Sequence, residues 1–115
     1  MQNVLRGDVI LCDLNPVVGT EQAGIRPVLI IQIDSVNKYS HHTIVIPFTT
    51  KIKQTLYAYH VLIPTGTSGL STDSVLLCEQ IKTIDTSRLL KKLGKLESGF
   101  MNKVELAIKT ILGFK

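Results

Sequence analysis

Gly19-Thr20-Glu21-Gln22-Ala23-Gly24-Ile25-Arg26-Pro27 runs without a break into Val28-Leu29-Ile30-Ile31. Consecutive aliphatic residues bounded by polar and turn residues read as a buried strand, and their lack of alternation points to burial on both faces. The polar stretch before them holds two glycines and reads as a loop. Arg26 therefore stands where a mobile loop enters a rigid strand, and Pro27 biases it towards extended geometry. A cation at such a point, behind a hydroxyl, a carboxylate and an amide, suits an anion site. The other reading keeps Arg26 as an ordinary strand-entry residue, paired with Glu21 or Asp34.

Working outward from this stretch, short apolar runs are punctuated by glycine and proline. Residues 9–14 read as a first strand, broken by Asn15-Pro16, and 27–33 as a second. Residues 34–42 are polar and turn-like, and 43–48 form a third strand ending in Pro47-Phe48-Thr49-Thr50. The stretch 53–59 reads as a mobile connection, 60–63 as a strand stopped by Pro64, and 65–72 as a turn region. Residues 74–84 are the longest strand candidate, apolar at first and then alternating, as a long bent strand does on leaving a core. Residues 87–93 fit either a short helix or a strand. Residues 98–112 predict a helix with Ser98 as N-cap, Gly113 as its stop, and Met101, Val104, Ile108, Ile111 and Leu112 on its apolar face. The sum is a mainly β chain with a C-terminal helix (α+β), a small barrel-like sheet under a helical cap.

The chain has 115 residues, a length that suits one domain, 1–115, with a core large enough to need no metal or disulfide. Its net charge of +4 favours an anionic partner such as nucleic acid or an acidic protein segment. Cys12 and Cys78 each lie in an apolar run and read as buried free thiols, although sequence does not exclude a disulfide between them. His41, His42 and His60 follow no zinc-ligand spacing, so no metal and no cofactor are expected, and His60 reads as structural. The polar segment 1–8 is unlike a secretory leader, and no apolar run is long enough to span a bilayer. The expectation is a cytoplasmic protein without a membrane contact.

Three groups of residues carry candidate chemistry: Thr20, Glu21, Gln22 and Arg26; Thr49 and Thr50; and Glu79-Gln80 beside Lys82. An arginine and a hydroxyl converging on one point make a phosphate clamp, since the guanidinium donates bidentately and keeps its charge. For Thr49 and Thr50 a plain strand-end turn is the competing reading, and for Glu79-Gln80 a solvated or internally bonded polar pair. Tyr39, Tyr57 and Tyr59 are able to stack on bases or simply to pack. Lys51, Lys53, Lys91, Lys92 and Lys95 suit an RNA backbone or a solvated face equally.

Several of these blocks together resemble the MazF/PemK family of type II toxins. They are Arg6-Gly7-Asp8-Val9; Asp13-Leu14-Asn15-Pro16; the block from Gly19 to Val28; Pro47-Phe48-Thr49-Thr50; and Asp73-Ser74-Val75-Leu76-Leu77-Cys78-Glu79-Gln80-Ile81-Lys82-Thr83-Ile84-Asp85. The resemblance implies an SH3-like barrel of the CcdB/PemK toxin type, a homodimer, and an endoribonuclease that cuts single-stranded RNA without a metal, leaving 2′,3′-cyclic phosphate and 5′-hydroxyl ends. It implies Arg26 and Thr49 as catalytic residues, with Thr20, Glu21, Gln22 and the Glu79-Gln80 pair shaping the site. Glu21 is the nearest candidate base, because arginine stays protonated at any ordinary pH. Thr20, Gln22, Thr50, Lys51, Lys53 and Gln80 are the expected RNA contacts, and 51–59 is expected to help choose the sequence. The expected protein partner is an antitoxin with an acidic disordered tail. The alternative is a non-enzymatic, CcdB-like toxin of the same fold that binds DNA gyrase.

Overall fold

The structure, a computed structural model, describes residues 3–115, so the first two residues of the polar N-terminal segment lie outside the described residues. Seven strands form one sheet: β1 (Asp8–Asp13), β2 (Ile25–Ile30), β3 (His42–Thr49), β4 (His60–Ile63), β5 (Ser74–Leu77), β6 (Lys82–Asp85) and β7 (Leu89–Lys95). Two helices join them, α1 (Asp34–Asn37) after β2 and α2 (Ser98–Leu112) at the end. The mainly β architecture with a terminal helix is as the sequence predicts.

β3 is the spine. One edge pairs antiparallel with β2, which pairs with β1, which pairs with β7. The other edge is shared by two strands in succession: His42 to Val45 face β6, and Phe48 and Thr49 face β5. The predicted long strand 74–84 is therefore two strands split by a 3-10 turn at Cys78–Gln80. The register shifts between the two pairings, since Phe48 faces Leu76 but Val45 faces Lys82, and the 3-10 turn takes up the extra residues. The predicted turn at 34–42 contains the single-turn helix α1, whose Asn37 joins Gln32 and Thr43 in a buried hydrogen-bond network. Residues 87–93 resolve into a 3-10 turn at Thr86–Arg88 followed by β7.

Neighbouring residues along β1 to β3 point into two separate cores, as the unalternating apolar runs require. Val9, Leu29 and Ile46 pack under Met101, Val104 and Ala107 of α2. Ile10, Val28, Ile30 and Val45 pack with Cys12, Leu14, Ile84 and Leu89 inside the curl of the sheet. On α2 the predicted stripe holds through Met101, Val104 and the half-buried Ile108, but Ile111 and Leu112 are exposed because the last turn overruns the sheet. The N-cap is Glu97, whose carbonyl accepts from the Phe100 and Met101 N–H groups at 3.1 and 3.0 Å, and Ser98 is the first helical residue. Gly113 ends the helix in the left-handed region at φ 77°.

The sheet curls but does not close as a barrel, since β4 and β7 stand at opposite ends of the strand order. The gap is filled by the turn before β5, whose Ser68 and Gly69 backbone lies directly on Leu93 and Gly94 of β7. A Cβ at Gly69 would sit 1.9 Å from the Leu93 carbonyl oxygen, and one at Gly94 would sit 2.5 Å from that of Ser68.

Cys12 and Cys78 are free and buried, one in each core. Burial pushes the Cys12 thiol up to about 11 and that of Cys78 up to about 12, from 9.0. Above pH 9 the unfolded chain therefore releases thiol protons that the folded chain keeps, and stability falls as pH rises, by up to about 1.4 kcal/mol per pH unit for each thiol. Urea unfolding between pH 8 and 10.5 is expected to show this loss, and a double Cys12→Ala/Cys78→Ala variant is expected to lack that part of the slope.

Candidate functional site

The loop between β1 and β2 is fixed at its root. The Leu14 N–H donates to the Gly24 carbonyl, and the Gly24 N–H donates to Oδ1 of Asn15, both at 3.0 Å. Arg88 donates through Nη1 to the Asp13 carbonyl at 3.3 Å and to the Asn15 carbonyl. The tip is tied to the fork: the Gln22 N–H donates to Oε1 of Gln80 at 2.7 Å, and Lys82 Nζ lies 3.5 Å from Oε2 of Glu21. A loop clamped at both ends delivers Arg26 to one place.

Arg26 sits opposite Cys12 in the β1–β2 ladder. Its Nε donates to the Ala23 carbonyl at 2.7 Å, which aims the guanidinium and leaves both terminal nitrogens without a hydrogen-bond partner among the described residues. Neither Glu21 nor Asp34 pairs with it: Glu21 holds Lys82 and the Val18 N–H, and Asp34 accepts from the Arg6 N–H at 2.6 Å. Thr49, at the end of β3, is only 5% exposed. Its Oγ1 accepts from the Lys51 N–H at 3.2 Å, so the hydroxyl proton remains to donate elsewhere.

Arg26, Thr49 and Thr50 line one cavity of about 540 Å³, walled by Phe48 and by Ser71 and Thr72 of the turn that fills the sheet gap. Asp73 closes that turn by accepting from the Thr65 N–H at 2.7 Å, a bond that holds its carboxyl below the usual range. Thr49 also lines a second cavity of about 210 Å³ with Lys51, Lys53, His60, Glu79 and Gln80. Gln22, Glu79 and Gln80 are shared in turn with a third, of about 520 Å³, that holds Thr20, Glu21 and Lys82. Shared walls place the three in series as one groove.

The expected catalytic residues Arg26, Thr49 and Glu21 and the expected RNA contacts Thr20, Gln22, Thr50, Lys51, Lys53 and Gln80 all line this groove. Arg26 and Thr49 share a wall, whereas Glu21 lies in the third cavity and not in theirs. Lys91, Lys92 and Lys95 do not line it; they lie on β7, where Lys92 pairs with the buried Asp8 at 3.2 Å. His60 belongs to the groove and faces Glu79, with Nε2 to Oε2 at 3.2 Å. The signal for that contact is register: His60 pairs with Leu77 across β4–β5, and Glu79 follows two residues later. Among the described residues no group of three His, Cys, Asp or Glu side chains is placed to hold a metal ion, and no helix is long and apolar enough to cross a membrane.

Comparison with known proteins places the chain in a family. The family model for PemK-like, MazF-like toxins of type II toxin–antitoxin systems matches residues 5–112. The chain is 46% identical over 109 residues to Endoribonuclease EndoA of Bacillus subtilis, covering 95% of this chain and 94% of that protein. It is 49% identical over 108 residues to Endoribonuclease MazF of Staphylococcus saprophyticus, covering 94% and 90%. A solved mycobacterial endoribonuclease in complex with its cognate antitoxin superposes with a TM-score of 0.77 at 25% identity, covering 100% of this chain and 98% of that one. A family model matched over nearly the whole chain and relatives aligned nearly end to end agree: this chain belongs to the PemK-like, MazF-like family of type II toxin–antitoxin toxins.

Proposed function

We propose that this toxin is an endoribonuclease that cuts single-stranded RNA in the cytoplasm, with no metal, by turning the RNA's own 2′-hydroxyl on the adjacent phosphate. The observation that carries it is the pairing of Arg26 and Thr49 on one cavity, with the terminal guanidinium nitrogens unpartnered and the threonine proton available. The 2′-oxygen bonds to phosphorus, the bond from phosphorus to the 5′-oxygen breaks, and a cyclic phosphate and a 5′-hydroxyl result. The nucleophile is supplied by the substrate, so no metal is needed to generate one from water. Arg26 neutralises the charge that builds on the phosphoryl oxygens and gives a proton to the departing 5′-oxygen, while Thr49 donates a hydrogen bond.

Glu21 takes the 2′-hydroxyl proton under this reading. Its carboxylate is half exposed and, among the described residues, held by Lys82 at 3.5 Å and the Val18 N–H at 3.2 Å; because it lines the third cavity, the role requires the bound RNA to draw the loop towards the Arg26–Thr49 cavity. General-base catalysis contributes about 100-fold or more. Glu21→Gln is expected to lower kcat by that factor, and an undiminished rate removes the role from Glu21.

Lys51, Lys53 and Lys82 give the groove its charge and serve the RNA backbone. The same cations suit the acidic disordered tail of a cognate antitoxin, a partner with which a similar mycobacterial endoribonuclease has been solved. A homodimer is part of the proposal, with exposed Leu62 on the free edge strand β4 and exposed Leu106 on α2 as its apolar surface.

The deciding experiment is incubation of the purified protein with a long natural RNA in EDTA, with the product ends identified. Cyclic phosphate and 5′-hydroxyl ends support the reading. An intact RNA beside a folded protein overturns it and turns attention to a protein target such as gyrase.

A further inference from the structure

The middle cavity of the groove is built for something other than phosphate. Leu56, Val75 and Leu77 give it aliphatic walls, and Lys51 and Lys53 stand at its rim. Into this basic setting the 3-10 turn at the fork projects a carboxylate, Glu79. A carboxylate repels a phosphate, so the ligand group that suits it is a hydrogen-bond donor. The protein satisfies one oxygen only: Oε2 lies 3.2 Å from Nε2 of His60, and Oε1 has no partner among the described residues. His60 is itself fixed. Its backbone N–H donates to the Tyr57 carbonyl at 3.0 Å, and its ring sits edge-on to those of Tyr59 and Tyr57, with centroids 4.8 and 5.5 Å away. Its side chain is 10% exposed, against 32% for Glu79, so one partner is anchored and the other presented.

We propose that Glu79 reads a nucleobase of the RNA and that His60 is the positioning residue that aims it. Apolar walls accept the faces of a base, and the free carboxylate oxygen accepts from its Watson–Crick edge. An acceptor-only group selects bases with exocyclic amino donors: adenine, cytosine or guanine. Uracil offers one N–H between two carbonyl oxygens, which face the carboxylate with like partial charge. The groove therefore takes an amino-bearing base at this position and rejects uracil. The inference rests on the RNA-cutting function proposed above for its ligand, but not on how the phosphate is cleaved.

The test uses a short RNA that the wild type binds, with each of the four bases placed in turn at every position. Cleavage and equilibrium binding are both measured in EDTA for wild type, Glu79→Gln, His60→Gln and His60→Leu, with thermal melts to confirm folding. The wild type is expected to disfavour uracil at one position by about 10- to 100-fold. Glu79→Gln, which both donates and accepts, is expected to bring uracil to within about threefold of the best base. His60→Gln keeps a donor for Oε2 and is expected to keep the discrimination, whereas His60→Leu loses it. Two results overturn the proposal: discrimination against uracil that persists in Glu79→Gln, or an equal loss on all four bases. A wild type that favours uracil or reads no base at these positions also overturns it. A wild type that binds RNA with this preference but does not cut it overturns the ribonuclease reading alone.

Discussion

Replacing Arg26 with alanine is expected to lower kcat for RNA cleavage by about 100- to 1000-fold, the cost of removing one preorganised donor from a developing oxyanion. The effect is expected in kcat rather than KM. Arg26 is one cation among several along the groove, and Lys51, Lys53 and Lys82 remain to hold the backbone. What alanine removes is the pair of terminal nitrogens that the Ala23 carbonyl aims into the cavity shared with Thr49. Arg26→Lys keeps a charge but not the planar fork, so it is expected to recover only part of the rate. Single-turnover cleavage with saturating enzyme separates the two quantities. A variant with unchanged kcat and weakened binding would move Arg26 from the chemistry to the backbone contacts.

The largest expected effect on stability comes from a glycine of the turn before β5, on the wall of the Arg26 cavity. Gly69→Ala is expected to cost more than about 4 kcal/mol, the range reserved for severe backbone or core lesions. Two costs add. An alanine at φ 77° carries left-handed strain of about 1–2 kcal/mol. Its Cβ would also stand 1.9 Å from the Leu93 carbonyl oxygen, a backbone atom that cannot swing aside. Relief requires the turn to lift off β7, which reopens the gap in the sheet and shifts Ser71 and Thr72 in the Arg26 cavity. Gly66 is the control, since it lies in the same turn at φ 86° with nothing within 4 Å. Gly66→Ala should show the strain alone, and thermal melts of the two variants side by side measure the difference. Equal melting temperatures would mean that the turn does not bear on β7.

Much of the architecture is legible in the sequence because hydrophobic patterning carries it. The run Val28-Leu29-Ile30 shows no alternation, and its residues face two cores. The spacing of Met101 and Val104 marks the covered face of α2, and Gly113 marks its end. The features that patterning misses depend on distant contacts. Residues 74 to 84 stay apolar through Leu77 and Cys78, and only β3's shared edge shows that the strand must break there. A glycine required by a neighbouring backbone looks in sequence like any turn glycine, so Gly69 and Gly94 read as punctuation. Ile111 and Leu112 keep helical spacing past the end of the sheet that would cover them.

The candidate site is legible to a different degree. Arg26 announces itself at a loop–strand junction before Pro27, and Thr49 at a strand end. Glu21 is close to Arg26 in sequence but lines another cavity, because the loop tip is drawn to Gln80 and Lys82. His60 looks isolated in sequence, since its partner Glu79 is 19 residues away and meets it only through the β4–β5 register.

The segment that closes the middle cavity, from Lys51 to Ala58, is exposed along its whole length and adds no strand to the sheet. Among the described residues its hydrogen bonds tie it down where it leaves Thr49 and where it meets His60. Lengthening such a segment costs little, since closure entropy grows only with the logarithm of its length. Under the proposed function, residues 51–58 can therefore change in length and composition, and with them the choice of RNA, without disturbing the arginine, the threonine or the two cores.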